Sequence, residues 1–140
     1  MKNKIETIEG DLVLTEDAEF SGDLVVHGNI TCEGGRWSLK TKGSIESKGY
    51  INCRSIVCGE SIICDGNIDC DDDIECKGGI VCENIGAKLN INCDSIECSG
   101  CISCDYLNCR SRNVTYDELS LDTGNVTAPC NMNWENDRWC

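Results

Sequence analysis

One three-residue phrase, an aliphatic residue, any residue, then cysteine, recurs from Ile51 to Cys109 and limits what this chain can fold into more than any other feature. It reads Ile51-Asn52-Cys53, Ile56-Val57-Cys58, Ile62-Ile63-Cys64, Ile68-Asp69-Cys70, Ile74-Glu75-Cys76, Ile80-Val81-Cys82, Ile91-Asn92-Cys93, Ile96-Glu97-Cys98, Ile102-Ser103-Cys104 and Leu107-Asn108-Cys109. Ile85-Gly86-Ala87 is its one weakened member. Successive starts are five or six residues apart. Such regularity marks a repeat architecture, in which each unit is too small to bury a core alone and must stack on its neighbours.

Residues i and i+2 of an extended chain point to the same side, so the aliphatic residue and the cysteine face inward while the middle residue faces out. Each phrase is then a very short strand. Three consecutive steps carry Ile51 to Ile68, Ile56 to Ile74, Ile62 to Ile80 and Ile68 to Ile85, a nearly constant advance that shortens slightly near the end of the run. Three strands per coil therefore set like residue over like. The expected fold is all-β: a single-domain parallel β-helix, or solenoid, three-sided, with about 17 residues per coil. Crossover sterics favour the right-handed form. The square coil of pentapeptide-repeat proteins, with four strands per turn, is the alternative, although a five-residue period would suit it better than this mixture of five and six.

The phrase is looser before Ile51. Leu12-Val13-Leu14, Ala18-Glu19-Phe20, Leu24-Val25-Val26 and Ile30-Thr31-Cys32 start six residues apart, which places the solenoid over residues 10–128, with 1–9 as an N-terminal cap or lead-in strand. Trp37-Ser38-Leu39 and Ile45-Glu46-Ser47 follow at longer steps, and the extra residues from Gly34 to Trp37 and from Lys40 to Gly43 predict bulged corners. Beyond Cys109 the phrase decays through Val114-Thr115-Tyr116, Leu119-Ser120-Leu121 and Val126-Thr127-Ala128. Residues 129–140, carrying Trp134 and Trp139, are expected to cap the last coil, whose lumen and strand edges need a cover.

Aromatic residues make up 5% of the chain, too few for a large globular core but sufficient for a solenoid. No signal-peptide pattern or membrane-length apolar run is evident, so a bacterial host cytoplasm is the expected location and no membrane partner is assigned. There the fourteen cysteines are expected to stay reduced for the most part. Stacked one strand spacing apart, about 4.8 Å, with parallel Cβ directions, they suit disulfide geometry poorly and read as small buried apolar residues.

Little in the chain points to catalysis. His27 is its one histidine, fewer than the zinc-dependent carbonic anhydrases of the left-handed hexapeptide shape require, and it lies outside the most regular region, so it reads as a surface or corner residue. Cys98-Ser99-Gly100-Cys101 and Cys101-Ile102-Ser103-Cys104 have zinc or iron–sulfur spacing. Cys98 and Cys104 are already inward members of the phrase, however, leaving Cys101, Cys130 and Cys140 as surplus. The chain is therefore read as non-enzymatic, with no catalytic residue, cofactor or metal assigned. The outward middle residues form no threonine rank, which argues against an ice-binding face.

What remains is charge. From Glu60 to Cys109 eleven acids, Glu60, Asp65, Asp69, Asp71, Asp72, Asp73, Glu75, Glu83, Asp94, Glu97 and Asp105, face two bases, Lys77 and Lys88. The excess is about three negative charges per coil of ~4.8 Å rise. Duplex DNA, at one charge per ~1.7 Å of axis, carries just under three over the same height. Met1 to Gly59 holds nine acids and seven bases, so this excess is concentrated in the regular coils. The competing reading is that acids keep an elongated protein soluble and unstacked.

The run Gly22 to Ile30, Gly-Asp-Leu-Val-Val-His-Gly-Asn-Ile, together with alternating Gly-x-Ile phrases, resembles the bactofilins, polymer-forming bacterial β-helices. The short acidic coil as a whole is similar to pentapeptide-repeat DNA mimics, among them a gyrase inhibitor and a type I-C anti-CRISPR protein of bacteriophage, although Ile-x-Cys replaces that family's Ala-(Asp/Asn)-Leu core. The second resemblance implies an inhibitor that occupies the DNA-binding surface of a bacterial complex, first of all a CRISPR surveillance complex. DNA gyrase or another DNA-binding enzyme is the alternative target. The eleven acids would be the contact, the partner a protein and not nucleic acid, and the inhibitor a monomer or small homo-oligomer. The first resemblance implies a structural polymer instead.

Overall fold

The structure, a computed structural model, describes the backbone of residues 5–109, 114–115 and 118–127, and side chains over 5–105 and 107–109. The expected C-terminal cap lies outside the described residues. The chain winds as a β-solenoid of about 6 turns with ~17 residues per coil. The first coil holds β1 (Ile5–Ile8), β2 (Leu12–Leu14) and β3 (Ala18–Phe20), and the second β4 (Asp23–Val26), β5 (Ile30–Cys32) and β6 (Ser38–Thr41). The third holds β7 (Ile45–Ser47), β8 (Ile51–Cys53) and β9 (Ser55–Cys58), and the fourth β10 (Ile62–Cys64), β11 (Ile68–Cys70) and β12 (Ile74–Cys76). The fifth holds β13 (Gly79–Cys82), β14 (Ile85–Ala87) and β15 (Asn90–Cys93). Then come β16 (Ser95–Cys98), β17 (Cys101–Cys109), β18 (Val114–Thr115) and β19 (Glu118–Thr127).

Every third strand pairs in parallel, which makes the coil three-sided and excludes the square alternative. The first face is the seven-stranded sheet β1-β4-β7-β10-β13-β16-β18. The second face (β2, β5, β8, β11, β14) and the third (β3, β6, β9, β12, β15) merge into one twelve-stranded sheet because β17 runs round the corner between them. On the second face Ile51, Ile68, Ile85 and Ile102 stack in one unbroken row. Such rows, one to a face, fill the lumen with isoleucine and leucine exposed by 2% or less from Leu24 to Leu107. A β-branched side chain, stiff at χ1, suits a strand buried on one side by its own stack.

The strand-ending cysteine does more than fill space. At two of the three corners its thiol donates to a backbone carbonyl of the coil below: Cys64 to Gly49 O at 3.1 Å, Cys98 to Glu83 O at 3.1 Å, Cys76 to Glu60 O at 3.0 Å and Cys109 to Asp94 O at 3.1 Å. Ser47 does the same through its hydroxyl to Gly28 O at 3.0 Å. Thr41, also at a strand end, donates to Gly43 O at 3.0 Å. A buried carbonyl left unpaired is costly, so a donor at this position satisfies each turn as it is laid down. At the second corner the equivalent position is held by Leu14, Cys32, Cys53, Cys70, Ala87 and Cys104; the Cys32 thiol donates to Trp37 O at 3.0 Å, whereas Leu14 and Ala87 only fill space.

Within the segment expected as a cap or lead-in strand, β1 pairs with β4 along its whole length, with Glu6 beside Leu24. One expectation needs correcting in the early coils. The phrase Trp37-Ser38-Leu39 is out of frame: Leu39 and Thr41 point inward and Lys40 outward. The reason is a 3-10 turn at Glu33–Gly35, where Gly34 and Gly35 take left-handed φ values of 67° and 66°. This turn lengthens the second coil, so that Ile30 is carried to Ile51 by a longer path than the one that carries Ile51 to Ile68, and it displaces the next strand. No bulge interrupts Lys40, which lies within regular β6.

Candidate functional site

Strand alternation and corner position together decide where the eleven predicted carboxylates go. Glu97, Asp69 and Glu75 are the outward middle residues of the first, second and third faces. Asp65 and Glu83 stand at the first corner, between first-face and second-face strands. Asp71, Asp72, Asp73 and Asp105 stand at the second corner, and Glu60 and Asp94 at the third. The structure therefore does not gather them on one surface; they ring the fourth to sixth coils. Glu60, Asp65, Asp69, Asp71, Glu75, Glu83 and Glu97 are exposed, while Asp72, Asp73, Asp94 and Asp105 are half-buried.

Their engagements differ. Asp72 Oδ2 pairs with Arg54 Nε at 2.8 Å, and Asp71 Oδ1 lies 3.7 Å from Lys88 Nζ. Asp73 Oδ1 accepts the Asn90 N–H at 2.9 Å, so it stitches the fourth coil to the fifth. Glu60 Oε2 accepts the Ser44 hydroxyl at 3.3 Å. The carboxylates of Asp69, Glu83 and Glu97 make no hydrogen bond or ion pair within the described residues and present their whole charge outward. The corner triplet Asp71 to Asp73, which no strand phrase requires, is thus partly structural. Side-chain-to-backbone ladders of the same type run along the first corner, where Asn29 Oδ1 accepts Tyr50 N–H at 2.9 Å and Asn84 Oδ1 accepts Cys101 N–H at 2.7 Å. These ladders explain the corner glycines: a Cβ on Gly49 or Gly100 would collide with the Asn29 or Asn84 carboxamide.

Sequence reading missed the axial order of charge. Residues 5–35 carry eight acids and no lysine or arginine, residues 36–54 carry five bases and one acid, and the acidic coils follow. A basic belt of Arg36, Lys40, Lys42, Lys48 and Arg54 therefore separates two acidic stretches, so the acidic excess is not confined to the regular coils. Dividing the stretch from Met1 to Gly59 at Gly35 would have shown it.

Beside the carboxylates lies an apolar pair on the first face. Ile63 (46% exposed) stacks directly on Val81 (41%), with Glu46 on one side and Glu97 on the other. A shallow groove of about 620 Å³ runs along this edge between Asp65, Glu83 and Glu97. His27 is a corner residue, its Nδ1 3.1 Å from Glu9 Oε2. Cys98 points into the lumen, and Cys101 is disulfide-bonded, so this surplus cysteine departs from the reduced state expected of the inward ones. No group of three or more metal-ligating side chains comes together among the described residues. Among them, no helix is long and apolar enough to cross a membrane.

No protein-family model, curated protein or solved structure matches this chain.

Proposed function

We propose that the protein is a non-enzymatic inhibitor whose acidic coils take the place of a DNA duplex in the basic groove of a bacterial DNA-binding complex. The observation that carries this reading is the ring of exposed carboxylates around the fourth to sixth coils. Nine excess charges over that stretch are about three per ~4.8 Å coil, close in sign and linear density to duplex DNA. A rigid solenoid holds those charges in place, so little ordering cost arises on binding. A CRISPR surveillance complex is the first target to test and DNA gyrase the next, on the resemblance to pentapeptide-repeat mimics.

The test is affinity for a purified, guide-loaded surveillance complex as charge and salt are varied. Asp69, Glu83 and Glu97 are the positions to reverse together to lysine, because their side chains hold nothing in the fold. The triple variant should bind at least tenfold more weakly than the parent at physiological salt, and parent affinity should fall steeply as salt rises, since such attraction is screened over ~8–10 Å. Binding indifferent to both would rule out charge mimicry and direct attention to Ile63 and Val81.

A further inference from the structure

The outward row of the third face has an order that neither other face shows. Lateral pairing sets Glu19 beside Lys40, Lys40 beside Val57, Val57 beside Glu75 and Glu75 beside Asn92. Along the axis it reads acid, base, apolar, acid, amide, one residue per coil of ~4.8 Å. Turned end for end about Val57, this row is complementary to itself: Lys40 meets Glu75 at both ends, Val57 meets Val57, and Glu19 meets Asn92. The first face fails this operation, since turning about Ile63 and Val81 sets Glu46 on Glu97. The second face fails too, because Asp69 lies at its centre between Asn52 and Gly86.

From this we infer that the third face binds a second copy of the chain, the two solenoids lying antiparallel about a twofold axis through Val57. The side chains of Lys40 and Glu75 have no hydrogen bond or ion pair within the described residues, although the protein carries a net charge of −13. Each is free to meet its opposite on the partner. Val57 stands 37% exposed beside a hollow of about 300 Å³ lined by Lys40, Lys42, Gly59, Glu75 and Lys77, which can receive the valine of the other copy. An isologous contact of this type closes on itself and produces dimers, not filaments. Lys42 and Lys77 stand on either side of Gly59 at the third corner, at the rim of the contact, where solvent screens them.

The contact is small. Five coils of ~4.8 Å by one short strand bury a few hundred Å² at most on each copy, below the ~800 Å² typical of a stable interface. Association is therefore weak and concentration-dependent. Its salt response follows from two ranges of interaction. At ~0.01 M salt the Debye length of ~30 Å lets the net charges of the two copies repel, at ~0.15 M only the contact pairs act, and near ~1 M these are screened as well. Dimerisation should peak at intermediate salt, unlike the monotonic weakening expected of groove binding, and it is independent of that reading.

Sedimentation velocity over a concentration series tests the inference through charge exchange. Lys40→Glu alone makes the facing row wholly acidic, and Glu75→Lys alone makes it wholly basic at the contact pairs, so each variant should self-associate at least tenfold more weakly than the parent. Mixed in equal amounts, the two should form a heterodimer at least as strong as the parent dimer, and the double variant Lys40→Glu/Glu75→Lys should regain parent behaviour. Both positions are on the solvent side, and circular dichroism confirms that each variant is folded. A parent that stays monomeric to millimolar concentration would overturn the inference. So would single variants that associate like the parent, or a mixture that gains nothing over its components.

Discussion

A strand-ending cysteine such as Cys64 or Cys76 donates its thiol to a backbone carbonyl, whereas Cys70 shares its row with Ala87, a residue that donates nothing. Cys64 donates to a carbonyl in the row where Ser47 donates its hydroxyl, so Cys64→Ser should leave stability within about 1 kcal/mol of the parent. Cys70→Ser instead places a hydroxyl in the row that Ala87 shares, and an unsatisfied buried hydroxyl there should cost about 1–3 kcal/mol. Urea unfolding ranks the two, and an equal loss would refute the distinction. Burial pushes the Cys53, Cys64 and Cys70 thiols above their ordinary range, and the thiolate is the reactive form. Alkylation of these three in the folded protein should accordingly be slow, whereas denaturation should expose at least the eleven cysteines that are free among the described residues. In the lumen itself, Ile68→Asp or Ile74→Asp puts an unpaired carboxylate where exposure is 1% or less. That costs several kcal/mol, a large part of the ~5–15 kcal/mol of a whole domain, and either variant should lose its cooperative melt; one that melts like the parent would show that the position does not face inward.

At the level of strands and corners, the fourth and fifth coils are tied by Asp73 as well as by their sheets. Asp73→Lys removes the acceptor of the Asn90 N–H and should destabilise by about 1 kcal/mol or more, while Asp69→Lys, on an outward position whose side chain holds nothing, should be nearly silent in a thermal melt. Equal effects would contradict the assignment of Asp73 to the corner ladder. The inward residues from Ile51 to Cys109 were legible in the sequence because two periods act together there: alternation names the inward side, and the near-constant coil length stacks like on like. The same reading failed at Trp37, since a 3-10 turn closed by two left-handed glycines absorbs residues without advancing the strand frame. It also missed the double role of the cysteines. Whether a thiol meets a carbonyl depends on the corner of the coil below, some 15 residues away, and local sequence carries no sign of that approach. Alternation placed Asp69, Glu75 and Glu97 on outward positions, but the spread of the eleven acids around all three sides, and the structural use of Asp72 and Asp73, follow only once the coil is closed.

Over the whole molecule, a narrow apolar lumen fixes the shape and leaves nearly every second side chain free for the surface. That surface is acidic, then basic, then acidic along the axis. On the proposal made above, the long acidic stretch fills a groove that ordinarily holds duplex, and the third-face row at the edge of the basic belt meets a second copy. Competition for one complex decides the central assignment most directly: a guide-loaded surveillance complex is incubated with labelled target duplex and increasing amounts of this protein, and bound species are resolved by native electrophoresis. Duplex and protein should displace one another, each complex holding one or the other. A ternary band containing complex, duplex and protein together would contradict groove occupation.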